Sequence, residues 1–568
     1  MTFIFFVISL VITFSIIGYG FLINDFLKLK KIPTNLGLVG ILGLFFLSII
    51  SNFTHIFIPH DYFHNLILII FGLILLLLYL RSGSKFKFSL NLLTITFSLL
   101  FIGLIMAKTN EDYSYYHLPN SLQFAQQKLQ FGLGNINHGF KHISSLFMLN
   151  SLFYLPFFDH YLFNLPNLIF LVFFVLFCLI EIYYRSNLNS NISKIILSLF
   201  LILFLSKFSR IAEYGSDLAG QIIVCIYIFY IFEVIFNDNL TKDNKNNILK
   251  LSLLLLVFAI TSKFILSIYS LFFLLTLFLI EKKSEMIKKF IDFKYCTFLF
   301  LPCFFFLLSN FSSTGCLIYP VKITCFYDQF NWALSSDVIN YLNFHYEIWS
   351  KGGKGPGFEV DDQELYVTSL NWVTNWVSVY FFNKVADYIL VIFIIILIFS
   401  LFFKKEIFDM KKINKKTNLK KSLLIYLTII CTFTIWFFNF PSLRYAGYII
   451  FYMLIIFPFI YMFQYKIELT SRLAIRKISI LFLISLTVFF VKNISRINSE
   501  LNTPNVNDHN FKNFPFYWVQ DVKYEIIYIN GHKLFKTNGK CWNIPSTCVR
   551  SDSLKINQYK NYIFYSIR

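Results

Sequence analysis

Apolar stretches long enough to cross a bilayer recur along almost the whole chain, and no water-soluble fold can bury so many of them. About 20 apolar residues span the hydrocarbon core. On that ruler the sequence divides into about fourteen spans: 2–23, 36–57, 65–81, 89–106, 164–184, 192–208, 218–236, 249–262, 264–281, 293–310, 385–403, 422–439, 445–464 and 478–492. Only 14% of the residues are charged, against about 25% in soluble domains. The expected fold class is an all-α polytopic membrane protein. The first apolar run is long, and Lys28, Lys30 and Lys31 follow rather than precede it, which does not fit a cleavable signal peptide.

A net charge of +20 would suggest a nucleic-acid partner in a soluble chain. Here the lysines gather in short loops, so no nucleic-acid partner is expected. Lys28/Lys30/Lys31, Arg81/Lys85/Lys87, Lys282/Lys283/Lys288/Lys289 and the run from Lys404 to Lys421 fall on alternate crossings. Positive loops mark the cytoplasmic side. Both termini then lie outside, with two large loops at about 107–163 and 311–384. The polytopic domain is expected over 1–493 and an extracytoplasmic cap over 494–568, whose stretch Lys523-Tyr524-Glu525-Ile526-Ile527-Tyr528 is β-prone. Segment 143–158 would spoil the parity if it crossed, and Pro156 and Asp159 end it. It reads as a half-buried or interfacial helix, the alternative being a true span with another one missed elsewhere. Loop 311–384 carries Trp332, Trp349, Trp372 and Trp376 around a glycine-rich stretch, Lys351 to Gly357, expected to be flexible. The tryptophans suit either a functional loop or an interfacial aromatic belt.

Of nine cysteines, Cys178, Cys225, Cys296, Cys303 and Cys431 fall in spans, where Cys is a small hydrophobe. Cys316, Cys325, Cys541 and Cys548 fall outside the membrane, where an even number favours disulfides. The pairs Cys541–Cys548 and Cys316–Cys325 are expected, with other pairings open. No CxxC or HExxH argues for zinc. No cofactor is expected, and a divalent metal stays open but unindicated.

The densest polar stretch outside the spans runs from Glu111-Asp112-Tyr113-Ser114-Tyr115-Tyr116-His117 to Ser144-Ser145. A carboxylate pair at a span end is commonly a helix cap. Here a His, several Tyr and glycines follow without a break, which points to an active site at the bilayer surface.

These residues carry a resemblance. Asp112-x-x-x-Tyr116-His117-Leu118, Gly132-Leu133-Gly134-Asn135, Ser144-Ser145, Ser313-Thr314-Gly315-Cys316, Pro441-Ser442-Leu443-Arg444-Tyr445 and Cys541-Trp542-Asn543-Ile544-Pro545-Ser546-Thr547-Cys548 resemble the signature of a family of uncharacterised bacterial multi-pass membrane proteins. Its members are similar in layout to GT-C glycosyltransferases and are associated with surface polysaccharide. The resemblance implies a GT-C-like helix arrangement in the bacterial inner membrane. Two departures stand out. His138-Gly139-Phe140 replaces an expected Arg near 138–140, and Trp349-Ser350-Lys351 lacks the Arg usual after the Trp. Both keep positive charge nearby but lose bidentate phosphate geometry.

Transfer of a sugar from a polyprenyl-phosphate donor needs a carboxylate to take the acceptor proton and cations to hold the departing phosphate. Asp112, with Glu111 in reserve, fits the first role, and His117 could orient the base. Lys141, Arg210, Lys263 and Arg444 fit the second, with Asn135, His138 and His142 also assigned to substrate. Each has a bland counterpart. Lys141 could snorkel, Arg210 could pair with Glu213 or Asp217, Arg444 could form a structural salt bridge, and Lys263 could mark a tight turn. His117 could be a structural residue held by Tyr hydroxyls. The expected partners are a polyprenyl-phosphate sugar donor, membrane lipids, and a cell-surface glycan, glycolipid or protein acceptor. Two alternatives remain: a polysaccharide polymerase or ligase using the same donors, and a flippase or transporter of lipid-linked glycans, which would concentrate charge near the bilayer midplane.

Overall fold

The apolar runs fold as helices. The computed structural model describes residues 2–27, 35–81, 87–105, 111–184, 191–207, 211, 215–279, 292–327, 329–355, 358–368, 370–404, 411–412, 416–462, 465–466, 472–501, 519, 522–551 and 553–567. Among these, ten helices are long and apolar enough to cross a membrane: Phe3–Phe26, Leu36–His55, Tyr62–Arg81, His160–Tyr183, Ser216–Phe236, Lys242–Ser262, Phe293–Thr314, Trp372–Phe402, Leu419–Asn439 and Leu473–Ser499. Four expected spans contain shorter helices: Lys87–Leu100, Asn191–Lys207, Ser270–Leu279 and Ile449–Met462. A helix of 14 residues such as Ile449–Met462 reaches about 21 Å at 1.5 Å per residue, short of the roughly 30 Å core. The chain is therefore a mostly helical, multi-pass membrane protein.

Ser216–Phe236 lies at the centre, with its apolar side chains buried all round. Tyr62–Arg81 lies at the edge and exposes Ile67, Ile70, Leu77 and Leu78, a surface that bilayer solvates and water does not. Small residues let the first helices close on one another. A Cβ on Gly18 would stand 1.9 Å from the Gly72 carbonyl oxygen, and one on Gly20 would stand 1.9 Å from that of Val39.

The first large loop is folded throughout its described part. A π-turn, Tyr113–His117, leads into helix Leu118–Gln126, the short helix Leu133–Ile136, a 3-10 turn His138–Lys141 and helix Ser145–Ser151. The last has seven residues, about 10 Å, and does not cross. Its Phe147, Met148 and Leu149 pack inward, whereas Phe157, near the end of the expected segment, is 84% exposed. Ser144 Oγ donates to the Ser262 carbonyl at 2.7 Å, which fixes this loop to the end of Lys242–Ser262.

In loop 311–384 the described part of the glycine-rich stretch pairs Lys354–Gly355 antiparallel with Phe358–Glu359, and Pro356 and Gly357, within the stretch expected to be flexible, lie outside the described residues. Trp332, Trp372 and Trp376 are buried, so three of the four tryptophans pack on protein rather than forming a belt. Trp376 Nε1 donates to the Pro441 carbonyl at 2.9 Å.

The tail is β-structured. Glu525–Ile529 pairs antiparallel with His532–Lys536, which runs parallel to Cys548–Val549, and Lys555–Tyr559 pairs with Tyr562–Ser566. Asn530 and Gly531, both at positive φ, make the two-residue turn that suits an antiparallel hairpin. Helix Arg472–Leu501 runs across position 493, so the cap's folded part starts later than 494. Cys316–Cys325 and Cys541–Cys548 are both disulfides.

The cap grips the first loop. Phe131 N–H donates to the Ile563 carbonyl and Tyr565 N–H to that of Phe131, both at 2.9 Å. Gly132 sits at φ +76°, where a Cβ would come within 2.1 Å of the Tyr565 carbonyl oxygen. Only glycine tolerates both demands. Asn137 Nδ2 donates to Cys541 Sγ at 2.9 Å.

Candidate functional site

Four charged side chains meet where helix ends converge on one side of the bundle. Asp112 enters just before the Tyr113–His117 π-turn. Asp217 is in the first turn of Ser216–Phe236. Lys263 caps the C-terminus of Lys242–Ser262. Arg444 follows the helix ending at Asn439, in a turn held from several sides. Trp436 Nε1 donates to the Ser442 carbonyl at 3.0 Å, and Leu443 N–H to the Tyr380 hydroxyl at 2.8 Å.

The charges alternate. Arg444 Nη2 lies 2.7 Å from Asp112 Oδ2, and its Nε lies 3.4 Å from Asp217 Oδ2. Lys263 Nζ donates to Asp217 Oδ1 and to the Arg444 carbonyl, the latter at 2.9 Å. Arg444 Nη2 also donates to the Tyr116 hydroxyl at 3.1 Å. The Tyr445 ring lies under both cations, 4.8 Å from Lys263 Nζ and 5.7 Å from Arg444 Cζ, within cation–π range. Two anions and two cations cancel formally.

Histidines and tyrosines extend the cluster. The Tyr116 ring centroid is 4.4 Å from that of His117 and 4.6 Å from that of His142. A Cβ on Gly215 would stand 2.2 Å from His117 Cε1, so a glycine just before Asp217 lets the imidazole close on this loop. His117 is buried, and its Nδ1 has no hydrogen-bond partner among the described residues. His138 Nε2 lies 3.2 Å from the Tyr346 hydroxyl.

Ionisation follows from the surroundings. Burial alone would raise the Asp112 carboxyl, but the adjacent Arg444 guanidinium outweighs it, and the group lies below the ordinary carboxylate range. Burial pushes His117 and His142 down to about 4 and His138 to about 3. All three are neutral near pH 7. Burial lowers Lys141 to about 8, still largely a cation at that pH.

Three of the expected residues, Asp112, Lys263 and Arg444, are thus brought into direct contact, with His117 and His142 beside them. Lys141 is 8% exposed, faces His138 and His142 electrostatically, and has no carboxylate within ion-pair distance among the described residues. Asn135 lies elsewhere and holds loops together, its Nδ2 donating to the carbonyls of Trp332 at 2.7 Å and Tyr565 at 3.1 Å. Glu111 is exposed and joins no ion pair among the described residues. Arg210 and Glu213 lie outside the described residues, and Asp217, an expected partner of Arg210, holds Arg444 and Lys263. Asp217 was the carboxylate missing from the expected set. An acid in a helix's first turn has a sufficient local reason to be there, so its sequence position signals nothing more. Among the described residues no group of three or more His, Cys, Asp or Glu is arranged to hold a metal ion.

Fold and site together define a multi-pass membrane protein with a balanced charge cluster at one end of its helices. The chain belongs to a family described as a domain of unknown function (DUF8201), which matches residues 1–451. That stretch takes in all four charged residues of the cluster and leaves out the C-terminal cap. No curated protein and no solved structure matches the chain.

Proposed function

We propose that the chain is a membrane glycosyltransferase of GT-C type. It would pass a sugar from a polyprenyl-phosphate-linked donor to a glycan, glycolipid or protein acceptor on the extracytoplasmic side of the bacterial inner membrane. Both termini lie on that side in this reading, and the two disulfides favour it, since disulfides persist in oxidising compartments. The observation that carries the proposal is the contact of an ionised Asp112 with Arg444 at the converging helix ends.

In the reaction the acceptor hydroxyl attacks the anomeric carbon while Asp112 takes its proton. The bond from that carbon to the phosphate oxygen breaks, and the phosphate leaves with the electron pair. Arg444 and Lys141 hold it, with Lys263 behind. The charge balance supports a phosphate guest. The cluster Asp112–Arg444–Asp217–Lys263 is self-neutralised, which leaves buried Lys141 without a counter-ion among the described residues, and an unpaired buried charge is costly. Charge at helix ends also favours this reading over a transporter, which needs it nearer the midplane.

Losing a general base costs about 10²–10⁴-fold in rate. Asp112→Asn should therefore abolish surface-glycan transfer in cells while expression and detergent stability stay near normal, because Arg444 keeps Asp217. Glu111→Gln should be milder. Full transfer by Asp112→Asn would make Asp112 a structural partner of Arg444.

A further inference from the structure

Helix Ser336–Ser350 has two distinct faces. Inward, Ile339, Leu342 and Ile348 are buried, and Tyr346 reaches His138 and lies 5.7 Å, ring to ring, from His142. Outward, Tyr341, His345 and Trp349 recur at every fourth residue, so their side chains stand one above another. Their ring centroids are 5.8 Å and 6.2 Å apart in succession, with planes inclined by only 31° and 32°. Tyr341 is 58% exposed and Trp349 44%. The result is a strip of aligned aromatic faces about 12 Å long at 1.5 Å per residue.

Single exposed aromatics are ordinary. Three aligned on one face of a helix anchored by its other face are not a consequence of packing, because burial would stabilise each of them. The surroundings of the strip are polar. Lys354 Nζ lies 2.6 Å from Glu359 Oε1, and Gln363 donates to the same carboxylate. Both charges of that pair act on His345, and Lys354 also interacts with Tyr341. An exposed ion pair beside the rings does not suit hydrocarbon. It places this side of the helix in water.

We propose that the strip is a carbohydrate-binding platform that seats the acceptor glycan. An aromatic face is electron-rich and attracts the weakly positive C–H face of a pyranose. Lys354, Glu359 and Gln363 are placed to meet the hydroxyls at the sugar's edge. The length fits several linked sugars rather than one. The assignment of the glycan as acceptor rests on the glycosyltransferase reading; sugar binding by the strip does not. Tyr346, next to His345 on the same helix, links the platform to the histidines beside Asp112 and Arg444.

The test uses the full chain in detergent, titrated calorimetrically with a panel of neutral chito- and malto-oligosaccharides. Trp349→Ala and Tyr341→Ala should each weaken binding about tenfold, equivalent to about 1.4 kcal/mol at 25 °C. No binding by any member of the panel, or equal binding by the variants, overturns the proposal. A second arm places the protein in nanodiscs of brominated phospholipid. The fluorescence lost in Trp349→Ala should escape quenching by bromine; strong quenching would put the strip in the bilayer and overturn the proposal as well. Neither arm needs transfer to occur, so failure here is distinguishable from failure of Asp112 as a base.

Discussion

Arg444 is the residue on which the site turns, since among the described residues it alone pairs with both carboxylates. Breaking a wholly buried pair costs about 3–5 kcal/mol. The Arg444 and Asp112 side chains are 39% and 31% exposed, and solvent screens such pairs, so Arg444→Gln should destabilise by about 1–3 kcal/mol while removing transfer. Arg444→Lys keeps the charge but cannot span both carboxylates as a planar fork can. It should recover most of the stability and little of the activity. Thermal unfolding and transfer, measured on the same preparations, separate the two effects. Lys263 and Arg444 were legible in the sequence because each is a sparse charge beside an apolar run, and Asp112 because it belongs to a carboxylate pair at a span end. Lys141 was legible as a cation but not as a buried one, because its burial depends on packing by distant segments. Asn135 sits in a motif that reads as functional, yet its partners, Trp332 and Tyr565, are loop carbonyls far along the chain.

At the scale of elements, the first loop carries three neutral histidines, His117 buried and His138 and His142 half-buried, which makes its stability sensitive to pH. His117 and His142 lie near 4 and His138 near 3 in the folded chain, against about 6.5 unfolded. Between those values the unfolded state binds more protons, so stability rises with pH. The melting temperature should fall as pH drops from about 6.5 toward 4, and His142→Gln should flatten that slope. A slope unchanged by the substitution would count against a neutral, half-buried His142. The Asp112 carboxyl has a lowered folded value, so its contribution is present at neutral pH and lost only as pH falls through that value. The cap is legible as β-prone sequence, whereas its contacts with Phe131 and Asn137 join residues hundreds of positions apart. Cys541 and Cys548 should resist alkylation in native protein, and two free thiols there would contradict the folded cap.

For the molecule as a whole, hydropathy made the helical, membrane-spanning character plain, because a bilayer selects for long apolar helices. It did not fix the count, since helices such as Ile449–Met462 are shorter than the bilayer core. The orientation proposed from the lysine-rich loops makes cysteines introduced at 112 and 415 label from outside and inside respectively; the reverse pattern would remove the catalytic reading as well. That reading rests on Asp112 taking a proton from the acceptor as a lipid phosphate departs. The most direct measurement is release of polyprenyl phosphate from a radiolabelled polyprenyl-phosphate sugar by the reconstituted full chain supplied with acceptor glycan. The account predicts acceptor-dependent release by the wild type and a loss of about 10²–10⁴-fold in Asp112→Asn at unchanged folding. Equal release by the two proteins would contradict it.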